Sequence, residues 1–171
     1  MSVLPKLGAI VLALAFCSTA EAQVLNDLKR AAENGDPAAE FNLGQKYAAG
    51  DGLEKNSTKA FCWTHRSAEH GHAWAWLRLG MMYGMGEGVK KDNIESYKWF
   101  HLINVVADPN WGTEIKQWAA EDASDIAKQM SLTQVQQAKQ RTAQWMAAVI
   151  ARGHLAPNQQ YVPFPGDKPP C

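Results

Sequence analysis

This chain has no excess charge of either sign. Lys and Arg number 17 and Asp and Glu number 17, so the formal net charge is zero. A nucleic-acid-binding domain carries a basic patch or stripe, and an interaction tail shows as a block of like charge. Neither pattern occurs, and nucleic acid is not an expected partner. Ser57, Ser67, Ser96, Ser124 and Ser131 stand in no Gly-x-Ser-x-Gly elbow and no Ser-x-x-Lys motif, so two large classes of serine hydrolase are excluded. Cysteine is scarce, three residues in all. The apolar run Leu7 to Phe16 is too short to span a bilayer. The length suits one domain.

What the N-terminus does contain is a leader pattern. Lys6 is a minimal positive region, Leu7 to Phe16 a short apolar core, and Ala20-Glu21-Ala22 a small-x-small cleavage site before Gln23. The pattern predicts a signal peptide over residues 1–22, cleaved after Ala22, and a periplasmic or secreted protein. A lipid anchor on Cys17 fits less well, because Phe16 is bulky where a lipobox needs a small residue. An exported chain lives in an oxidising space. There Cys62 and Cys171 allow one bridge from the tail to the body, or stand as two unrelated thiols; the sequence does not set the distance between them.

The rest of the chain is organised by a repeat. Leu79-Gly80-Met81-Met82-Tyr83-Gly84-Met85-Gly86-Glu87-Gly88-Val89 has the same skeleton as Leu43-Gly44-Gln45-Lys46-Tyr47-Ala48-Ala49-Gly50-Asp51-Gly52-Leu53. The two are 36 residues apart (79 − 43), and so are Gly71 and Gly35. A fixed period of this size signals stacked supersecondary units. Within a unit, helical spacing of apolar residues is broken by Gly-x-Gly turns. Residues 35–70 form one unit and 71–106 the second. Asp36-Pro37 is a good N-cap followed by a residue suited to the first helical position. Asn56 or Ser57 caps a helix to about Glu69, and Asp92-Asn93 caps one to about Val106. Gly44 and Gly80, in mid-helix, cost about 1 kcal/mol against alanine; their recurrence predicts a close approach by a neighbouring helix. Leu53 and Val89 are expected to tuck under their turns.

The flanks are less regular. Val24, Leu25, Leu28, Ala31 and Ala32 recur at helical spacing, which predicts a capping helix over residues 23–34. Residues 107–151 read as a degenerate third unit, a C-terminal helix pair. Asp108-Pro109 repeats the helix start, but the Gly-x-Gly loop is gone. Trp111, Ile115, Trp118, Asp122, Ile126 and Met130 predict one helix from about Trp111 to Gln129. Thr133 with Gln136 forms a capping-box pattern before a last helix, Gln134 to Ala151, whose apolar face is Val135, Ala138, Thr142, Trp145, Met146 and Val149. Residues 152–171 hold five prolines from Pro157 on, which predicts an extended or disordered tail.

The units resemble Sel1-like repeats, a branch of the tetratricopeptide-like helical family. The resemblance rests on Ala39, Leu43, Gly44, Tyr47, Gly50, Gly52, Leu53, Phe61 and Trp63, and on Ala75, Leu79, Gly80, Tyr83, Gly86, Gly88, Val89, Tyr97 and Trp99. It implies an all-α solenoid of antiparallel helix pairs in a right-handed superhelix, and a role in binding other proteins, often as an exported or envelope adaptor. Some exported relatives carry a cysteine pair in each repeat, and beta-lactam binding or hydrolysis is attributed to them. This chain lacks those pairs, so that activity is not carried over.

The residues offer little chemistry and one binding surface. His65, His70, His72 and Glu69 cluster in sequence, and His101 lies one period after His65. However, His65 and His70 are five apart, and Gly71 breaks the helix before His72, so they do not form the i, i+4 pair of a zinc site. Cys62 and His65 could be a nucleophile and its base, but no oxyanion site accompanies them. Glu121-Asp122 reads as a solvated face, and the Gly84 to Gly88 loop follows no strand, unlike a phosphate cradle. Neither catalysis nor a cofactor is expected.

Specificity is expected where the units differ. Ala38, Glu40, Asn42, Gln45 and Lys46 of the first unit become Trp74, Trp76, Arg78, Met81 and Met82 in the second. Trp74, Arg78, Met81 and Met82 share roughly one helix face, and first helices commonly line the concave side of such stacks. Trp and Arg are enriched at binding hot spots, and methionine repacks readily. The prediction is that Trp74 and Arg78 anchor a protein or peptide partner. Met81 and Met82 would adapt to it, and Asn42, Gln45 and Lys46 would extend the surface. Trp76 is read equally well as core. An inhibitor of an envelope-targeted toxin and a cell-wall or beta-lactam hydrolase are the alternatives.

Overall fold

Side-chain caps open three of the helices where the repeat pattern puts them. The computed structural model describes residues 20–106 and 112–151. The described part of α1 covers residues 20–33. It is followed by α2 (Pro37–Ala49), α3 (Ser57–Glu69), α4 (Ala73–Met85), α5 (Asn93–Val105), α6 (Thr113–Ala127) and α7 (Leu132–Ala151). The described residues form no strand, and the architecture is an all-α solenoid. Residues 1–19 of the expected leader, the Asp108-Pro109 start, Trp111 and the tail from residue 152 lie outside the described residues. Residues 20–22, at the expected cleavage site, are helical and exposed.

The Asp36 carboxylate accepts from the Ala39 N–H at 2.8 Å, and the Asn56 side chain from the Lys59 N–H at 2.9 Å. Asp92 accepts from Ile94 and Glu95 at 2.9 and 3.1 Å. Each satisfies N–H groups that have no partner inside the helix. At the other ends, α2 and α4 stop at Gly50 and Gly86, both left-handed with φ of 78° and 76°, a conformation that strains a residue with a Cβ.

Helices pack as consecutive antiparallel pairs, α2 with α3 and α4 with α5, and α3 joins the pairs through α4. Gly44 and Gly80 are points of close approach within the pairs. A Cβ on Gly80 would lie 2.5 Å from the Phe100 ring, and one on Gly44 2.8 Å from Thr64 Oγ1. The main core joins Trp76, Leu79, Trp99, Phe100, Leu102, Ile103 and Ile115. A smaller cluster joins Ala32, Ala39 and Leu43, with Leu28, Tyr47, Leu53 and Trp63 against it. Leu53 is thus under its turn, as expected.

The third unit departs from expectation in three ways. First, α6 buries Ile115, Ala119 and Ala123, so its buried stripe is turned one residue from the predicted one. Trp118 is left 45% exposed. Second, the capping box before α7 is Ser131 with Gln134, not Thr133 with Gln136. Ser131 Oγ accepts from the Gln134 N–H at 3.2 Å, and Gln134 Oε1 accepts from the Ser131 N–H at 2.8 Å. The same spacing two residues earlier starts the helix at Leu132. Third, α6 and α7 each pack on α5 and hardly touch each other. Arg141 pairs with Glu95 at 2.6 Å and Thr142 donates to the Lys98 carbonyl at 3.3 Å, so the polar edge of α7 is also committed to α5.

Candidate functional site

The first helices of the two pairs, α2 and α4, flank a groove of about 560 Å³. Phe41, Gln45, Ala48 and Ala49 come from α2, and Trp74, Leu77, Arg78 and Met81 from α4, with Glu87 from the loop beyond. Trp74, Arg78, Met81 and Gln45, predicted from sequence, are therefore brought together. Trp74 and Met81 are 44% and 39% exposed. Large apolar side chains held in water at one concave surface are characteristic of contact sites.

The remaining predicted residues do not join them. Met82 is fully buried, which corrects its reading as a contact. It lies three residues after Leu79 and seven after Ala75, both core residues with no exposure, so helical spacing turns it to that face. Asn42 is exposed but does not line the groove. Lys46 pairs instead with Asp51 at 2.7 Å. Trp76 is core, and its indole N–H donates to the Ala68 carbonyl at 2.6 Å. Arg78 lines the groove as half of an ion pair: one of its terminal nitrogens lies 2.9 Å from each Glu87 carboxylate oxygen. The groove wall is therefore neutral there, and Arg78 offers a flat guanidinium face more than a free charge.

Two further exposed residues lie beside these. Trp118 lies beside Trp74, ring centroids 5.8 Å apart. Its neighbours in sequence place it on the apolar stripe of α6, so periodicity alone marked it as core. Met85, 61% exposed, is four residues beyond Met81 on the same face of α4. At the start of α4, the His72 ring sits against Phe41 with centroids 4.9 Å apart. Burial holds its pKa below the ordinary histidine value, opposed by the charge of Asp36.

The chemistry weighed from sequence is placed as follows. Cys62 is disulfide-bonded, so it presents no thiol to His65; Cys171 and Cys17 lie outside the described residues. Among the described residues, no group of three or more His, Cys, Asp and Glu is arranged to hold a metal ion. None of the described helices is long and apolar enough to cross a membrane.

Comparison with known proteins agrees with this architecture. Residues 37–72 and 77–102 match the Sel1 repeat. Among solved structures, the chain is similar to a protective antigen present in uropathogenic Escherichia coli strains that displays an SLR fold. That match has 26% identity and a TM-score of 0.63 over 82% of this chain and 29% of the antigen. It is also similar to a Sel1 repeat protein from Oxalobacter formigenes, with 32% identity and a TM-score of 0.48 over 55% of this chain and 26% of that one. The chain thus spans less than a third of either structure. No curated protein matches it.

Proposed function

We propose that this Sel1-repeat protein is an exported, non-catalytic binding module that holds a protein or peptide in the groove between α2 and α4. The observation that carries the reading is the groove itself. It exposes Trp74 and Met81 on a rigid helix, beside the neutralised Arg78–Glu87 pair. Tryptophan gives much contact area at little cost in conformational entropy, and methionine adapts to the shape it meets. The leader pattern of residues 1–22 supports a periplasmic or secreted location, and the partner then belongs to the cell envelope or its surroundings.

The test is capture from the envelope fraction by purified protein, with photo-crosslinkers at Gln45 and, on α3, at Lys59. Crosslinking from Gln45 but not Lys59, lost in Trp74→Ala/Met81→Ala with helicity unchanged, is the expected result. A partner retained by that double variant would overturn the assignment. Intact mass of the chain recovered from the periplasm or medium tests export. A chain retained in the cytoplasm with residues 1–22 attached would overturn that part.

A further inference from the structure

We propose that the cleft bounded by α5, α6 and α7 is a binding site for a small aromatic carboxylate. This goes beyond the groove described above and does not depend on it.

The argument starts from the repeat. Tyr97 and His101 stand one turn apart on α5, 36 residues after Phe61 and His65 on α3. The ring centroids are 5.7 Å apart in both pairs. In the first unit the pair is closed by aromatic edges from the next. Tyr83 meets Phe61 at 5.3 Å and 90°, and Trp99 meets His65 at 6.0 Å and 80°. Edge-to-face contacts of this kind are favourable beyond the area they bury. In the second unit neither cover is present. The period puts Ala119 where Tyr83 stands, and Ala119 is turned into the core. Trp145 of α7 packs on Trp76 and Trp99 instead, at 5.6 and 5.8 Å. Because α6 and α7 splay across α5, a cleft of about 330 Å³ remains over Tyr97 and His101, bedded on Ala120 and Ala123 of α6. That volume is at the small end of ligand pockets, and its bed of methyl groups is suited to a flat apolar body.

The polar groups of the cleft specify the other half of the ligand. His65 has Glu69 3.8 Å away; one period later that position is Val105. His101 Nδ1 is buried with no hydrogen-bond partner among the described residues, an arrangement that costs free energy. Lys139 lines the cleft and forms no ion pair among the described residues, Ser124 lines it as well, and no carboxylate does. One ring to replace the missing aromatic edge, and one carboxylate to meet Lys139, satisfy the site together.

The probe is phenylacetate, followed by NMR of the uniformly labelled full chain, with neutral phenylacetamide as control. Saturable shifts at His101 and Ser124 are expected with phenylacetate. Binding should be weaker by about tenfold for phenylacetamide and for Lys139→Gln, the size expected for one charge-assisted hydrogen bond. Ala123→Leu should fill the cleft and abolish the shifts. Ser124→Tyr, at an exposed position, provides a second filling variant should Ala123→Leu fold poorly. No saturable shift at low millimolar phenylacetate, or shifts unchanged in Lys139→Gln and in both filling variants, would overturn the proposal.

Discussion

The Glu40 carboxylate, fully buried, accepts from the His70 imidazole N–H at 2.6 Å and pairs through its other oxygen with Arg66 Nε. One period later the three positions are Trp76, Leu102 and Val106, and the Trp76 and Leu102 side chains are buried. The same junction between the two helices of a unit is thus closed by charge in one unit and by apolar packing in the next. Removing one partner of a buried ion pair strands the others, at about 3–5 kcal/mol, whereas replacing the whole set with apolar residues is often neutral or stabilising by about 1–4 kcal/mol. Glu40→Ala is therefore expected to be severely destabilised. Glu40→Trp/Arg66→Leu/His70→Val is expected to be more stable than Glu40→Ala, because it leaves no buried charge without a partner. Urea-unfolding midpoints check both, and a triple variant weaker than Glu40→Ala would contradict the equivalence of the two units.

The Gly80 contact gives a second test. A Cβ there would meet three atoms of the Phe100 ring between 2.5 and 2.7 Å, and Phe100 is only 2% exposed in the main core, so the ring has nowhere to move. Overpacking of this kind costs about 1–3 kcal/mol, which more than cancels the better helix propensity of alanine. Gly80→Ala should lower the thermal midpoint. An unchanged or raised midpoint would show that α4 and α5 can separate freely.

The start of α7 separates two sequence signals that look alike. Ser131 and Gln134 make the reciprocal cap, while Thr133 lies within the helix and is exposed. Ser131→Ala is expected to cost about 1 kcal/mol, and Thr133→Ala to stay within about 0.5 kcal/mol of the parent. Chemical denaturation distinguishes them, and the reverse ranking would return the cap to Thr133.

Acid should weaken the fold before the carboxylates titrate. Burial is the largest influence on both His65 and His72 and holds each pKa below the ordinary 6.5; for His65, Glu69 opposes this and Lys98 adds to it. Between the lowered folded value and 6.5 the unfolded chain binds more protons, so stability rises with pH. The contribution is full above 6.5 and is lost as pH falls through the folded values. At lower pH Asp122, raised by burial and then by Asp125 and Glu121, acts in the opposite direction. Thermal midpoints should fall between about pH 7 and pH 5, and the fall should shrink in His65→Gln/His72→Gln. An equal fall in that variant would assign the effect to other groups.

Much of the repeat was legible in the sequence because its signals are local. Asp36, Asn56 and Asp92 cap the helices they precede, Gly50 and Gly86 end the ones before them, and the paired Gly44 and Gly80 announced close helix contacts. Each depends on a few neighbouring residues and a fixed spacing, so one chain read twice at a 36-residue interval was enough. The groove was legible in part. Comparing the units placed Trp74, Arg78, Met81 and Gln45 on one side of the pairs. It also included Met82, which sits at the border between that face and the core.

The remaining features depended on tertiary structure. Helical spacing gives the angles between side chains on one helix, not how that helix is rotated against its neighbours. A small rotation of α6 put Ala119 inward and left Trp118 beside Trp74. The charged Glu40 is buried because Arg66 and His70 arrive from α3 and the turn after it, more than 25 residues away in the chain. The splay of α6 and α7 across α5 likewise follows from which surfaces fit best once the Gly-x-Gly turn is lost. The sequence thus determined the unit, its helices and its turns; packing between units decided which aromatic residues face water and where grooves remain between the helices.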